Sequence, residues 1–93
     1  MTTLHIEHPV TDFDTWMAAF NGFADMRTAS GVRGQKVHRP FDDPRYVVLD
    51  LDFDTIDDAQ RFLTFLTTNV WTSRDNSPAL VGTPRSSILE SVI

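Results

Sequence analysis

"RYVVLDLDF", residues 45–53, alternates with a period of two: Val47, Leu49, Leu51 and Phe53 are apolar, whereas Tyr46, Asp50 and Asp52 are polar and Val48 is the exception. Side chains alternate across a strand, so this pattern predicts a strand with one face in the core and the other facing out. A second segment, "LHIEHPV" at residues 4–10, repeats the pattern, with Leu4 and Ile6 on one parity and His5 and Glu7 on the other. Pro9 bounds it, as proline does at strand ends.

Between these two strands, "VTDFDTWMAAFNGFADMRTASG" carries helical periodicity. Phe13, Trp16, Met17, Phe20, Ala24 and Arg27 fall on one face, with Phe23 at its edge. Thr11 and Asp14 have capping-box spacing. Gly31 is placed for a left-handed stop, and Gly22 inside the pattern weakens the helix or marks close packing. Residues 33–39 predict a second strand, followed by the turn "PFDDP". Thr55 with Asp58 opens a second helix whose buried stripe is Ile56, Ala59, Phe62, Leu63, Leu66 and Val70. Residues 72–85 form a long connection with room for a helical turn at 78–81, and "SSILESVI" is a final strand.

The order is therefore β-α-β-β-α-β, an α+β fold of the ferredoxin-like, split βαβ kind. All strands run antiparallel, the first and third lie at the centre, and two helices cover one face. The chain of 93 residues is expected to be a single domain spanning 1–93. At this size it buries only about 60–65% of the surface its unfolded form exposes, which favours association with a second copy. Cysteine is absent, which removes disulfides, thiolate nucleophiles and sulfur-ligated zinc. Thirteen acids against eight Lys and Arg give a formal charge of −5, which disfavours nucleic acid as a partner. No apolar run of about 18 residues is present, so no membrane span is expected. No basic-then-apolar leader is visible, so a cytoplasmic location is the default expectation.

The parity of "LHIEHPV" sorts the candidate chemistry. Leu4 and Ile6 go under the helices, so His5 and Glu7 belong on the far face with Tyr46, Val48 and Asp50. Antiparallel pairing sets His5 across from Asp50 or Asp52. His38 joins the far face if Val37 packs under the helices. His8 points the other way, toward the helices. His5 and His8 thus cannot form a metal pair, and no metal is expected. A histidine beside carboxylates is also how a general base is oriented, which makes His5, His8 and Asp50 the catalytic candidates. The same cluster can equally be a half-solvated sheet face whose polar groups pair with one another. Glu7, Trp16, His38, Tyr46, Asn69 and Trp71 are candidates for contact with a ligand. "GVRG", 31–34, leads into a strand and is a turn, not a phosphate loop.

"LHIEHPV", "DFDTW" and "AAF" leading through the first helix, with "DDPRYVVLDLDFDT" through the third strand, resemble the dimeric α/β-barrel superfamily, in particular the small proteins related to antibiotic-biosynthesis monooxygenases. The resemblance implies a homodimer whose sheets pack face to face, and a ligand cleft in each subunit between sheet and helices. It also implies catalysis, where there is any, without metal or flavin, by Asn and Trp in that cleft; Asn69 and Trp71 are the counterparts here. Haem-degrading members carry a histidine after the Trp, and none follows Trp71. No cofactor is therefore expected. Two functions fit: a cofactor-independent monooxygenase- or cyclase-like enzyme acting on a small aromatic or polyketide-like molecule, and a non-catalytic ligand-binding or accessory dimerisation module. A cavity of about 300 Å³ or more with converging polar groups would favour the enzyme.

Overall fold

The computed structural model describes all residues from Met1 to Ile93. Strand β1 (Thr2–Pro9) is followed by helices α1 (Phe13–Gly22) and α2 (Ala24–Ala29), strands β2 (Gly34–His38) and β3 (Tyr46–Phe53), helix α3 (Ile56–Phe65) running into a π-helical turn (Leu66–Val70), and strand β4 (Arg85–Glu90). The four strands form one sheet in the order β2-β3-β1-β4, every pair antiparallel. This is the expected α+β arrangement, with β1 and β3 at the centre.

The register places Leu4 opposite Leu51, His5 opposite Asp50 and Ile6 opposite Leu49. Leu4, Ile6, Leu49, Leu51 and Phe53 are accordingly buried under the helices, where they meet Phe20, Ala59, Phe62, Leu66 and Val70, while Val47 on the same sheet face is buried in a smaller cluster with Val10 and Ala79. Ordinary hydrophobic patterning accounts for this core. The aliphatic sheet face and the apolar helix stripes have no other way to leave water.

Five local details differ from the sequence expectation. Asp12, not Thr11, caps α1: its side chain accepts from the Thr15 backbone N–H at 2.9 Å. The Thr11 N–H is still engaged by the Ala79 carbonyl, so the helix starts later. The long first helix breaks at Phe23, leaving α1 and α2, and Ala24 is exposed. A Cβ at Gly22 would meet nothing within 4 Å, so close packing does not explain this glycine; its weak helical preference suits the end of α1. Ile56, in the first turn of α3, is 39% exposed and leaves the buried stripe. The 72–85 connection forms no helix. It is tied down instead by a bridge between Val10 and Leu80 that buries Ala79. The last strand stops at Glu90, three residues before the end of the chain. Gly31, at φ 98°, is the left-handed stop that was expected, and Thr55 caps α3 by accepting from the Asp58 N–H.

Candidate ligand cleft

Between the sheet and the helices lies a cavity of about 80 Å³, and thirteen of its eighteen lining residues are hydrophobic. One wall is aromatic. Trp16 stacks on Phe20 with centroids 5.0 Å apart and planes 16° from parallel, and His8 meets the Trp16 ring edge-on at 6.2 Å. At the far end of this ladder the Arg27 guanidinium lies 3.5 Å from the centre of the Phe20 ring. The opposite wall comes from the end of α3. In the π turn the Trp71 N–H reaches the Leu66 carbonyl, five residues back, at 2.8 Å. That wider turn lets Leu66, Val70 and Trp71 all border the cavity.

His8 is 4% exposed. Its Nδ1 lies 2.8 Å from the Pro9 carbonyl. A carbonyl only accepts, so Nδ1 carries the proton and Nε2 offers a lone pair. Burial holds the imidazole below its ordinary pKa and opposes ionisation, while the Pro9 carbonyl pulls weakly the other way. Nε2 has no partner within the chain, and no fully buried side-chain nitrogen or oxygen goes unpartnered. Nε2 therefore faces open space, and His8 borders the cavity. The result is a neutral base beside an aromatic wall.

Arg27 is also buried, at 5% exposure. Its Nε donates to Gln35 Oε1 at 3.0 Å and its Nη1 to the Phe20 carbonyl. The ion pairs of the chain do not include it. Burial lowers its pKa from the usual guanidinium value.

On the other side of the sheet the polar groups satisfy one another. His5 Nδ1 is 2.6 Å from Asp50 Oδ1, and Nε2 is 2.8 Å from Glu7 Oε2. Tyr46 donates its hydroxyl to Glu7 Oε1 at 2.7 Å, and Thr3 donates to Asp52 at 2.7 Å. Both nitrogens of His5 face acceptors, which favours the imidazolium. Its pKa is raised by the bond to Glu7 and then by that to Asp50, against a smaller desolvation effect. Glu7 is lowered, chiefly by His5 and then by Tyr46, and Tyr46 is raised by its bond to Glu7.

The sequence candidates thus divide between two faces. His8, Trp16 and Trp71 border the cavity. His5, Glu7, Tyr46 and Asp50 form the network on the far side, with the sheet between them and the cavity, so His5 and Asp50 cannot act on a molecule bound there. His38 is exposed on β2, opposite Val48, and shares the far face without joining the network. Asn69 is exposed and borders a shallow groove with Asp57 and Arg61; its side chain bonds to nothing in the chain, and its backbone carbonyl accepts from Asn76 Nδ2 at 2.9 Å. Asn69 and Trp71 therefore do not converge, because the π turn directs Trp71 to the cavity and leaves Asn69 outside. Arg27, Asn76 and Ser77 border the cavity and were not among the candidates. A signal existed for Arg27, since a charge stood on the apolar face of the first helix. Asn76 and Ser77 sit in an irregular connection with no periodicity to place them.

No family model and no curated protein matches the chain. Solved structures do match it. A provisionally named antibiotic biosynthesis monooxygenase from Bordetella bronchiseptica superposes with a TM-score of 0.76 at 16% identity, covering 99% of this chain and 98% of its own. Another provisionally so named, from Nitrosomonas europaea, gives 0.72 at 16% identity over 100% of both chains. A dimeric ferredoxin-like protein from an uncultured marine organism gives 0.72 at 10% identity, over 99% of this chain and 95% of that one. The chain thus has the fold found in antibiotic biosynthesis monooxygenase-like and dimeric ferredoxin-like proteins, as its sequence pattern suggested.

Proposed function

We propose that the protein is a homodimer that binds a small, flat, largely apolar molecule between its sheet and helices, with His8 as the group that accepts a hydrogen bond or a proton from it. The observation that carries this reading is His8 itself. A buried imidazole held neutral, with an unpartnered lone pair and bordering an aromatic-walled cavity, is arranged for a donor that the chain does not supply. The homodimer is supported by the uncovered far face of the sheet, whose hydrogen-bonded network can enter an interface without leaving polar groups unpaired. The structural likeness to proteins described as dimeric ferredoxin-like points the same way. The provisional monooxygenase names of other neighbours agree with an enzyme acting on an aromatic or polyketide-like compound.

One observation favours the non-catalytic alternative, a ligand-binding or accessory dimerisation module. The cavity measures about 80 Å³, whereas drug-sized ligands occupy sites of about 300 Å³ or more. Only a molecule of about one ring enters without the walls moving.

The reading is tested by titrating ¹⁵N-labelled protein with single-ring phenols, acids and amides. Shifts are expected at the indole N–H of Trp16 and Trp71, and at Leu66. His8→Leu should weaken the binding of phenols, which donate to Nε2, by about tenfold, the equivalent of one hydrogen bond of about 1.4 kcal/mol. Absence of any shift at millimolar ligand would remove the cleft as a binding site. Light scattering that gives a monomer at micromolar concentration would remove the homodimer.

A further inference from the structure

We infer that the molecule held in this cleft is an anion, a small carboxylate- or enolate-type organic acid whose negative group sits on Arg27 while its carbon skeleton lies along Trp16 and Phe20. The inference rests on the cleft being a binding site and says which chemical class it takes.

A guanidinium offers five N–H donors. In Arg27 two acceptors, the Gln35 side-chain oxygen and the Phe20 carbonyl, engage Nε and Nη1, and Nη2 donates to no atom of the chain. No fully buried side-chain nitrogen lacks a partner, so Nη2 borders accessible space although the residue is 95% buried. Arg27 lines the cavity together with His8, and we take the opening beside Nη2 to be that cavity.

The charge is incompletely balanced. The Phe20 carbonyl belongs to the last turn of α1, whose C-terminal dipole amounts to about half a negative charge. The Phe20 ring adds a cation–π contact. No carboxylate lies within 4 Å of Arg27. This stands out in a chain with thirteen Asp and Glu, because buried cations are ordinarily paired. A carboxylate entering the cleft would meet the remaining donors in the forked geometry that guanidinium offers planar anions. Two aromatic rings separate Arg27 from His8. A ligand held by its anion at one end would thus run past the edges of these rings and carry its other end toward the neutral base. The small volume again limits the skeleton to about one ring.

Benzoate and benzamide, nearly identical in shape and different in charge, test this by tryptophan fluorescence and by the Arg27 Nε–Hε NMR signal at pH 7.5. Benzoate should bind at least about tenfold more tightly than benzamide, and it alone should move the Arg27 signal. Arg27→Met should reduce the preference to within about twofold, and Arg27→Lys, which keeps the charge but not the fork, should retain part of it. Equal binding of the two probes to the wild-type protein would overturn the anion assignment and leave the cleft intact. Binding of neither would overturn both. The wild-type comparison decides the matter even if Arg27→Met does not fold.

Discussion

His5 and His8 stand three residues apart on one strand and live in opposite electrostatic worlds. His5 is flanked by two carboxylates within 2.8 Å and is pushed toward the imidazolium. His8 has one carbonyl and an apolar wall, and burial holds it neutral. The two faces of the sheet follow suit. The far face is internally complete, a chain of bonds from Tyr46 through Glu7 and His5 to Asp50. The helix face is packed but chemically incomplete, with spare capacity on His8 and Arg27. A saturated polar cluster specifies structure, and an unsaturated one in a cavity invites a ligand. Histidine content alone does not distinguish them.

The largest effect that would break this contrast concerns packing. Leu51→Ala, on the helix face and 1% exposed, should cost about 2–5 kcal/mol in denaturant unfolding. Val48→Ala, at a half-buried position on the far face of the same strand, should cost less than about 1 kcal/mol in the monomer. Any further loss for Val48→Ala should depend on protein concentration, as expected if the far face is the dimer seam. Equal costs at high dilution would mean that the two faces are not energetically distinct.

A pH titration sharpens the contrast next. NMR should place the His5 pKa above 6.5 and the His8 pKa below it. His5 binds its proton more tightly when folded. Its contribution to stability is therefore full below about pH 6.5 and is lost as pH rises through the folded pKa. His8 binds its proton less tightly when folded, so stability falls as pH drops from about 6.5 through its depressed pKa. The two limbs leave a stability maximum near neutrality. Lower still, protonation of Glu7 through its lowered pKa removes the partner of His5. His5→Asn should flatten the alkaline limb and His8→Asn the acid one. Coincident titration of the two histidines would dissolve the distinction between them.

The smallest effect lies outside both faces. Gly22→Ala places a methyl where nothing lies within 4 Å and where φ is not positive, so it should stabilise the protein by about 0.4–1 kcal/mol. Thermal melting that showed destabilisation would mean the helix break at Phe23 is held by something other than weak helical preference.

Much of this contrast is legible in the amino-acid sequence. Parity within "LHIEHPV" and "RYVVLDLDF" assigns each side chain to a face, and antiparallel counting puts His5 opposite Asp50, because strand geometry converts position directly into direction. The cleft is less legible for the same reason in reverse. That Arg27 shares the apolar face can be read from periodicity, but its lack of a carboxylate partner depends on Gln35, the Phe20 carbonyl and the break between α1 and α2. Asn76 and Ser77 reach the cavity only because the Val10–Leu80 bridge ties a distant loop to the end of β1. Asn69 and Trp71 look like a pair in sequence, and the shift from i+4 to i+5 bonding separates them.

The strand that carries both histidines also restricts how such a protein can change over evolutionary time. Substitutions along β1 adjust one face without touching the other, so interface and cleft can diverge independently in related chains. A single-residue insertion or deletion within β1 would exchange the two faces at once, sending side chains such as His5 and Glu7 under the helices and Leu4 and Ile6 into the open. Length variation is confined to the connections, and the 72–84 segment at the mouth of the cleft is the one where it would remodel the cavity while leaving the sheet untouched. Descendants of this fold should therefore diversify their ligands by loop length there, and keep the spacing between positions 5 and 8 fixed.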